Sequence, residues 1–463
     1  MKRRDCVLAV TVRPGGVFAP SGVAMAFRHN TLAEYQYTGR SSKQRSGRLN
    51  LPHLNAPQAR SIRLANRIGD ALARVGFAPP ALEAGRLMRH AERRTGLRDW
   101  GDDSCTAGLR QLVSALNTEA ALSPVGRIAA YLNLLDHLSV RLRLLRYREQ
   151  HPQVRDQQIG QPLFIVGLPR TGTTILHELI ARDPAMRAPA SWEVARPLPP
   201  PLAEHATDDP RIASIQRLLD LLEWLAPGFQ AIHAVGAKLP QECVYLLASA
   251  CMSEQFGYMF NVPAYRDWLL AQDMTAAYRW HAQFLQHLQM GHNRRWVLKT
   301  PAHLANLKYL MAQYPDAVVV WTHRRPLAAM ASFSSLAATL RAGFSDRVDP
   351  LAIGQYESRH FAAVVARGMR DRASLDSERF FDVSFDAICR DPLAVVEAVY
   401  RRFGIALSGE ARASMRAYLR QRPRNLYGEH RYSPGAFGLD AEIEAGLFGD
   451  YRERFSACLD NVE

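Results

Sequence analysis

The stretch Leu163-Phe164-Ile165-Val166-Gly167-Leu168-Pro169-Arg170-Thr171-Gly172-Thr173-Thr174 runs directly into ILHELIARD, and it constrains the fold more than any other part of the chain. A continuous apolar run rich in β-branched residues, then a Gly-containing loop, then helical sequence reads as a buried strand turning tightly into a helix. In that order, loop N–H groups and the helix N-terminus converge on an anion. The spacing GxxxxGTT fits the P-loop frame GxxxxGK[ST], except that Thr173 stands in the lysine position. The missing lysine would reach the β- and γ-phosphates, and a magnesium ion would need an aspartate ending a later strand. That later strand, AVVVWT, ends instead in Thr322-His323-Arg324-Arg325. With Arg170 inside the loop, the pattern suits a short anionic group held without a metal. A P-loop kinase or NTPase using ATP and magnesium is the rival reading.

Similar apolar runs at Trp296 to Lys299, Ala317 to Thr322 and Phe381 to Phe385 are each followed by helical sequence. Their continuity predicts parallel strands buried on both faces. The expected fold class is α/β, a P-loop-like doubly wound parallel sheet with flanking helices, together with an N-terminal all-helical region and a helical insert. The expected boundaries are a poorly ordered basic arm at 1–58, a helical lead domain at 59–155, the α/β domain at 156–445 with its insert at about 185–290, and a C-terminal tail helix at 446–463. In the lead domain, Ser123 and Pro124 mark a helix start. The insert carries Trp224, Tyr245, Tyr265, Trp268, Tyr278 and Trp280, and these form either its own core or a substrate pocket.

Lysine plus arginine (58) exceed aspartate plus glutamate (44), giving a net charge of +14. Such a balance points to phosphates, sulfates, nucleic acid or an acidic surface. No zinc module or interleaved aromatic and basic motif supports nucleic acid. No apolar run approaches the roughly 20 residues that span a bilayer. The basic start MKRRDCVLAVTV is cut off at Arg13 and Pro14 without a cleavage pattern, and six scattered cysteines fit reduced thiols. A cytoplasmic protein is expected.

A second anion site is written at the end of AVVVWT. Arg324 follows the strand, Pro326 opens a helix, and Ser332 lies eight residues after Arg324 in that helix's second turn. Two anion sites on one sheet edge, separated by room for an adenosine, fit a nucleotide with phosphates at both ends.

These residues resemble the sulfotransferase superfamily, whose donor is 3'-phosphoadenosine 5'-phosphosulfate (PAPS) and whose nucleotide product is the bisphosphate PAP. GLPRTGTT is similar to the family's 5'-phosphosulfate loop, and Arg324 with Ser332 to its 3'-phosphate motif. Phe381-Asp382-Val383-Ser384-Phe385-Asp386 with Arg390-Asp391-Pro392 resembles a further family element. The resemblance implies that Arg170, Thr171, Gly172, Thr173 and Thr174 hold the phosphosulfate, that Arg324 and Ser332 hold the 3'-phosphate, and that Arg431 closes over it. Ile175 replaces the adenine-stacking tryptophan of cytosolic members. It further implies in-line sulfuryl transfer without a metal to a hydroxyl or amine, helped by Arg170 and Lys299. Three residues are candidates for the general base: Glu193 first, then His303, then Glu242. The acceptor is left open, and a homo-oligomer is compatible with this reading.

Overall fold

The all-parallel sheet is built from β1 (Leu163–Gly167), β2 (Met186–Arg187), β3 (Arg295–Lys299), β4 (Val318–His323) and β5 (Phe380–Ser384), in the order β2-β3-β1-β4-β5. The coordinates are a computed structural model that describes residues 60–76, 81–201, 208–227, 229, 234–421 and 433–459. The chain divides into two units, 1–48 and 49–463, and every described residue belongs to the second.

Alternation along the strands explains why each run is apolar throughout. Phe164 and Val166 of β1, Trp296 and Leu298 of β3, and Val319 and Trp321 of β4 enter one core. Leu163, Ile165, Val297 and Val320 point the other way into a second core with Leu176, Leu179 and Ile180. Helices therefore cover both faces, as the sequence predicts for a doubly wound sheet. β1 lies at the centre, and the chain winds first toward β3 and then toward β4. The carboxyl end of β1 is thus the topological switch point, where ligands bind in sheets of this kind.

Differences from the expected strands are small. β1 has its expected limits, β3 gains Arg295 at its start, and β4 and β5 are each displaced by one residue at both ends. Phe385 is not a strand residue but opens the helix Phe385–Arg390, because the Ser384 side chain accepts from Asp386 N–H and caps it. β2 was not anticipated, since two residues carry no periodicity.

Among the described residues, four α-helices precede the sheet: Arg60–Arg74, Ala84–Thr95, Ser104–Thr118 and Pro124–Gln150. Ser123 caps the last by accepting from Gly126 N–H. Leu109, Leu112, Leu134 and Leu138 share the core that contains Phe164 and Trp321. In the insert, Tyr265, Tyr278 and Trp280 are buried in that same core, whereas Trp224 is exposed. No described helix is long and apolar enough to cross a membrane.

The helices Ala441–Arg454 and Ser456–Leu459 follow, and they return the chain to the sheet edge. His323, at the end of β4, lies 2.9 Å from both Tyr451 Oη and Asp382 Oδ1, and its ring stacks on Phe455 with centroids 4.2 Å apart. Arg372 grips both oxygens of Asp382 at 2.6 and 2.8 Å. The arginine and the imidazole hold that carboxyl far below the usual range.

Candidate active site

The backbone after β1 is shaped for close approach. Gly167 has φ of 146°, and a Cβ there would stand 2.5 Å from the Thr322 carbonyl oxygen, so glycine alone fits. Arg170 (φ 67°) and Gly172 (φ 86°) both take left-handed conformations, and Gly172 caps the helix Thr173–Ile180. A left-handed arginine is strained and persists only where its surroundings hold it. Here Arg324 Nη1 donates to Arg170 O at 2.8 Å, and Arg170 Nε donates to Ser332 Oγ at 3.1 Å. Thr171 is fully buried and turned inward. Its Oγ1 lies 2.6 Å from both Leu168 O and Thr322 Oγ1, which ties the loop to β4.

Arg170, Arg324 and Ser332 therefore meet at the carboxyl edge of β1 and β4. Arg324 also stacks over Phe385 at 4.2 Å, which fixes its guanidinium. A cavity of about 750 Å³ opens here, and its walls include Arg170, Gly172, Thr173, Thr174, Ile175, Glu242, Arg324 and Phe385. Ser332, 2% exposed, stands behind Arg170.

At the carboxyl end of β3, Lys299 is almost completely buried. Its ammonium donates to Thr174 Oγ1 at 3.3 Å and pairs with Glu242 Oε1. The other carboxylate oxygen of Glu242 accepts from Thr300 Oγ1 at 3.2 Å. Glu242 occupies the N-cap position of the helix Cys243–Ala248, yet its side chain makes no capping bond. It reaches across to the sheet instead. The site thus joins a cationic cradle to a carboxylate–ammonium pair, the charge pattern needed to stabilise a leaving anion and to take a proton.

The Sulfotransferase family pattern matches residues 162–409, more than half of the chain. This chain belongs to the sulfotransferase family. Among solved structures, sulfotransferase STF1 from Mycobacterium tuberculosis H37Rv is 34% identical, with a TM-score of 0.71 over 80% of this chain and 98% of that one. Sulfotransferase STF9 from Mycobacterium avium is 28% identical, with a TM-score of 0.74 over 82% and 97% of the two chains. Omega-hydroxy-beta-dihydromenaquinone-9 sulfotransferase Stf3 of Mycobacterium tuberculosis (strain CDC 1551 / Oshkosh) is 22% identical over 306 residues, 61% of this chain and 71% of that protein. Sulfotransfer is the chemistry of this fold, and the kinase reading is not favoured.

Within the sulfotransferase, the residues named from sequence do not all meet. Arg170, Thr171, Gly172, Thr173, Thr174, Arg324, Ser332, Lys299 and Glu242 gather at one end of the sheet. Glu193, ranked first as base, lies elsewhere. It is buried, pairs with Arg187 Nη2 at 2.8 Å, accepts from Ala190 N–H at 2.9 Å, and takes no part in the cavity wall. With both oxygens engaged, it fastens the short helix Ser191–Ala195 to β2. His303 is also absent from the wall. Its Nδ1 lies 2.6 Å from Tyr278 Oη, and burial holds its basicity well below the usual imidazole value. Burial with Lys299 nearby brings the neighbouring His177 down to about 3. Arg431 lies outside the described residues.

Sequence reasoning missed Thr300, which steers Glu242, and Gln255 and Tyr258, which line the cavity. The lack of a side-chain cap at Glu242 is visible only in three dimensions. Thr300 follows Lys299 directly, so that pair was available to inspection.

Proposed function

We propose that PAPS is the sulfuryl donor, with the 167–174 loop around its 5'-phosphosulfate and with Arg324 and Ser332 at its 3'-phosphate. The observation that carries this reading is the meeting of Arg170, Arg324 and Ser332 beside a loop that lacks the triphosphate-binding lysine. Phe385, already stacked under Arg324, offers a flat apolar surface to the adenine in place of the missing tryptophan.

Glu242 is the general base in this reading, which reorders the candidates. It alone of the three carboxylate and imidazole candidates lines the cavity. The acceptor O–H or N–H gives its proton to the Glu242 carboxylate as the acceptor atom bonds to sulfur in line. The bond from sulfur to the 5'-phosphate oxygen breaks, and its electron pair leaves with PAP. Arg170 and the loop N–H groups stabilise the charge growing on that phosphate, and Lys299, beside Thr174, neutralises the transferring group. No metal enters this scheme. The division into a lead region at 59–155 and a transferase region at 156–445, and a cytoplasmic setting consistent with free cysteines, belong to the same reading.

Calorimetric titration tests it, with PAP and with ATP, each in magnesium and in EDTA. PAP is expected to bind in both buffers, and Arg324→Ala to weaken it by about 10- to 1,000-fold, the effect of removing a charge-assisted contact. Binding of ATP alone, and only with magnesium, would overturn the reading.

A further inference from the structure

A cluster of metal-ligating side chains lies outside the wall of the cavity. Cys243 comes from the helix Cys243–Ala248, His281 from the helix Thr275–Gln289, and His303 from the 3-10 turn Pro301–Asn306 that follows β3. All three are fully buried, and one ligand atom from each lies within 4.8 Å of the other two. A metal about 2.3 Å from sulfur and about 2.0–2.1 Å from nitrogen holds its ligands within about 4.4 Å of one another, so shifts of a few tenths of an ångström close this set.

Both rings are held from behind. His303 Nδ1 lies 2.6 Å from Tyr278 Oη, and His281 Nδ1 lies 2.7 Å from Tyr314 Oη. In each ring Nε2 remains, buried and without a hydrogen-bond partner among the described residues. Metal-bound histidines are built in this way, with an outer partner on one ring nitrogen fixing the tautomer and the lone pair of the other turned to the ion. Buried polar atoms are normally paired, and two orphaned imidazole nitrogens in one cluster with a thiol call for a common partner. That partner needs no opening to solvent, because the three ligands of a closed site cover one another.

Charge selects the ion. The cluster has no acidic member. A thiolate with two neutral imidazoles carries one negative charge, which a monovalent cation cancels and a divalent one exceeds, and unbalanced charge in an apolar interior is costly. Thiolate and imidazole are ligands that copper(I) accepts, whereas zinc on three protein ligands keeps a fourth position for water or substrate. We propose that Cys243, His281 and His303 form a closed, three-ligand site for copper(I), with Tyr278 and Tyr314 as its outer shell. The thiol proton leaves as the copper–sulfur bond forms, and no electron is transferred. Cys243 follows Glu242 directly, and His303 lies on the turn after Lys299, so the ion clamps together the two segments that carry the carboxylate–ammonium pair. The proposal is independent of the donor reading, since none of the three ligands lines the cavity.

The test uses the full chain, stripped of metal and kept in a thiol-free reductant, and titrates copper(I) in competition with bicinchoninate. One copper(I) per chain is expected, with one sulfur and two nitrogens around it by X-ray absorption and a raised melting temperature. Cys243→Ser should abolish that shell. Tyr278→Phe and Tyr314→Phe, which keep the rings in place, should each weaken uptake by about 10- to 100-fold, an effect that loss of packing alone would not produce. All variants are first melted without metal, and the two tyrosine variants carry the decision if Cys243→Ser does not fold. No uptake against the chelator, a shell of sulfur alone, a shell unchanged in Cys243→Ser, or full affinity in both tyrosine variants would each overturn the proposal. Zinc taken up where copper(I) is not would overturn the charge argument and the choice of ion with it.

Discussion

Glu242 stands where a helix cap belongs, but its carboxylate faces Lys299 and Thr300 across the mouth of the cavity. A base at that position has a specific kinetic signature. Glu242→Gln keeps the shape and the Thr300 contact but cannot take the proton. Its kcat should fall by about 10²- to 10⁴-fold, with PAP affinity, read by calorimetry, changing little. A kcat near the wild-type value would remove Glu242 from the mechanism. The sequence could not rank the carboxylates because their environments come from distant residues. Glu193 is neutralised by Arg187 on a strand of two residues, whereas Glu242 meets Lys299 from a strand more than fifty residues later. Thr171 shows the same limit. Its place in the loop motif was legible, but its inward turn toward Thr322 was not.

At the scale of elements, the loop and its strand were legible because one contiguous stretch, 163–174, encodes strand, turn and helix start. The glycines in it answer to different demands. Gly172 serves a left-handed helix cap, and Gly167 serves contact with the next strand. Gly167→Ala adds a Cβ against the Thr322 backbone and forces an L residue to φ of 146°. It should destabilise the protein by about 2 kcal/mol or more and weaken PAP binding, as scanning calorimetry and titration would record. An unchanged melting temperature would contradict this account of the turn. The contacts of Tyr451 and Phe455 with His323 were not legible, because stacking between elements more than a hundred residues apart leaves no local pattern.

For the whole molecule, buried histidines set the response to pH. Burial brings His137 and His287 to about 4, and His177 and His281 to about 3, from an ordinary 6.5. As pH falls below 6.5 the unfolded chain takes up protons on these rings, and the folded protein does not. Their stabilising contribution is therefore complete above about 6.5 and is lost as pH falls toward 4 and 3, at up to about 1.4 kcal/mol per pH unit for each ring. Melting temperature should be nearly flat from pH 8 to 7 and decline between pH 6.5 and 5. A flat profile across that lower interval would refute this linkage. None of it could be read from composition, since a histidine count does not say which rings are buried; the net charge of +14 likewise named anions as partners without locating them.

The central place of β1 also has a meaning in time. Its neighbours in the sheet, β3 and β4, begin at Arg295 and Val318, well over a hundred residues after Gly167. At about 5–20 residues per second, a ribosome takes on the order of ten seconds to cover that distance. Throughout that interval the nascent strand is apolar on both faces and has neither of the edges it will pair with. Until then its shelter is the lead helices, the helix Thr173–Ile180 that packs on one of its faces and the earlier insert helices, and the helices that press against His323 are translated later still.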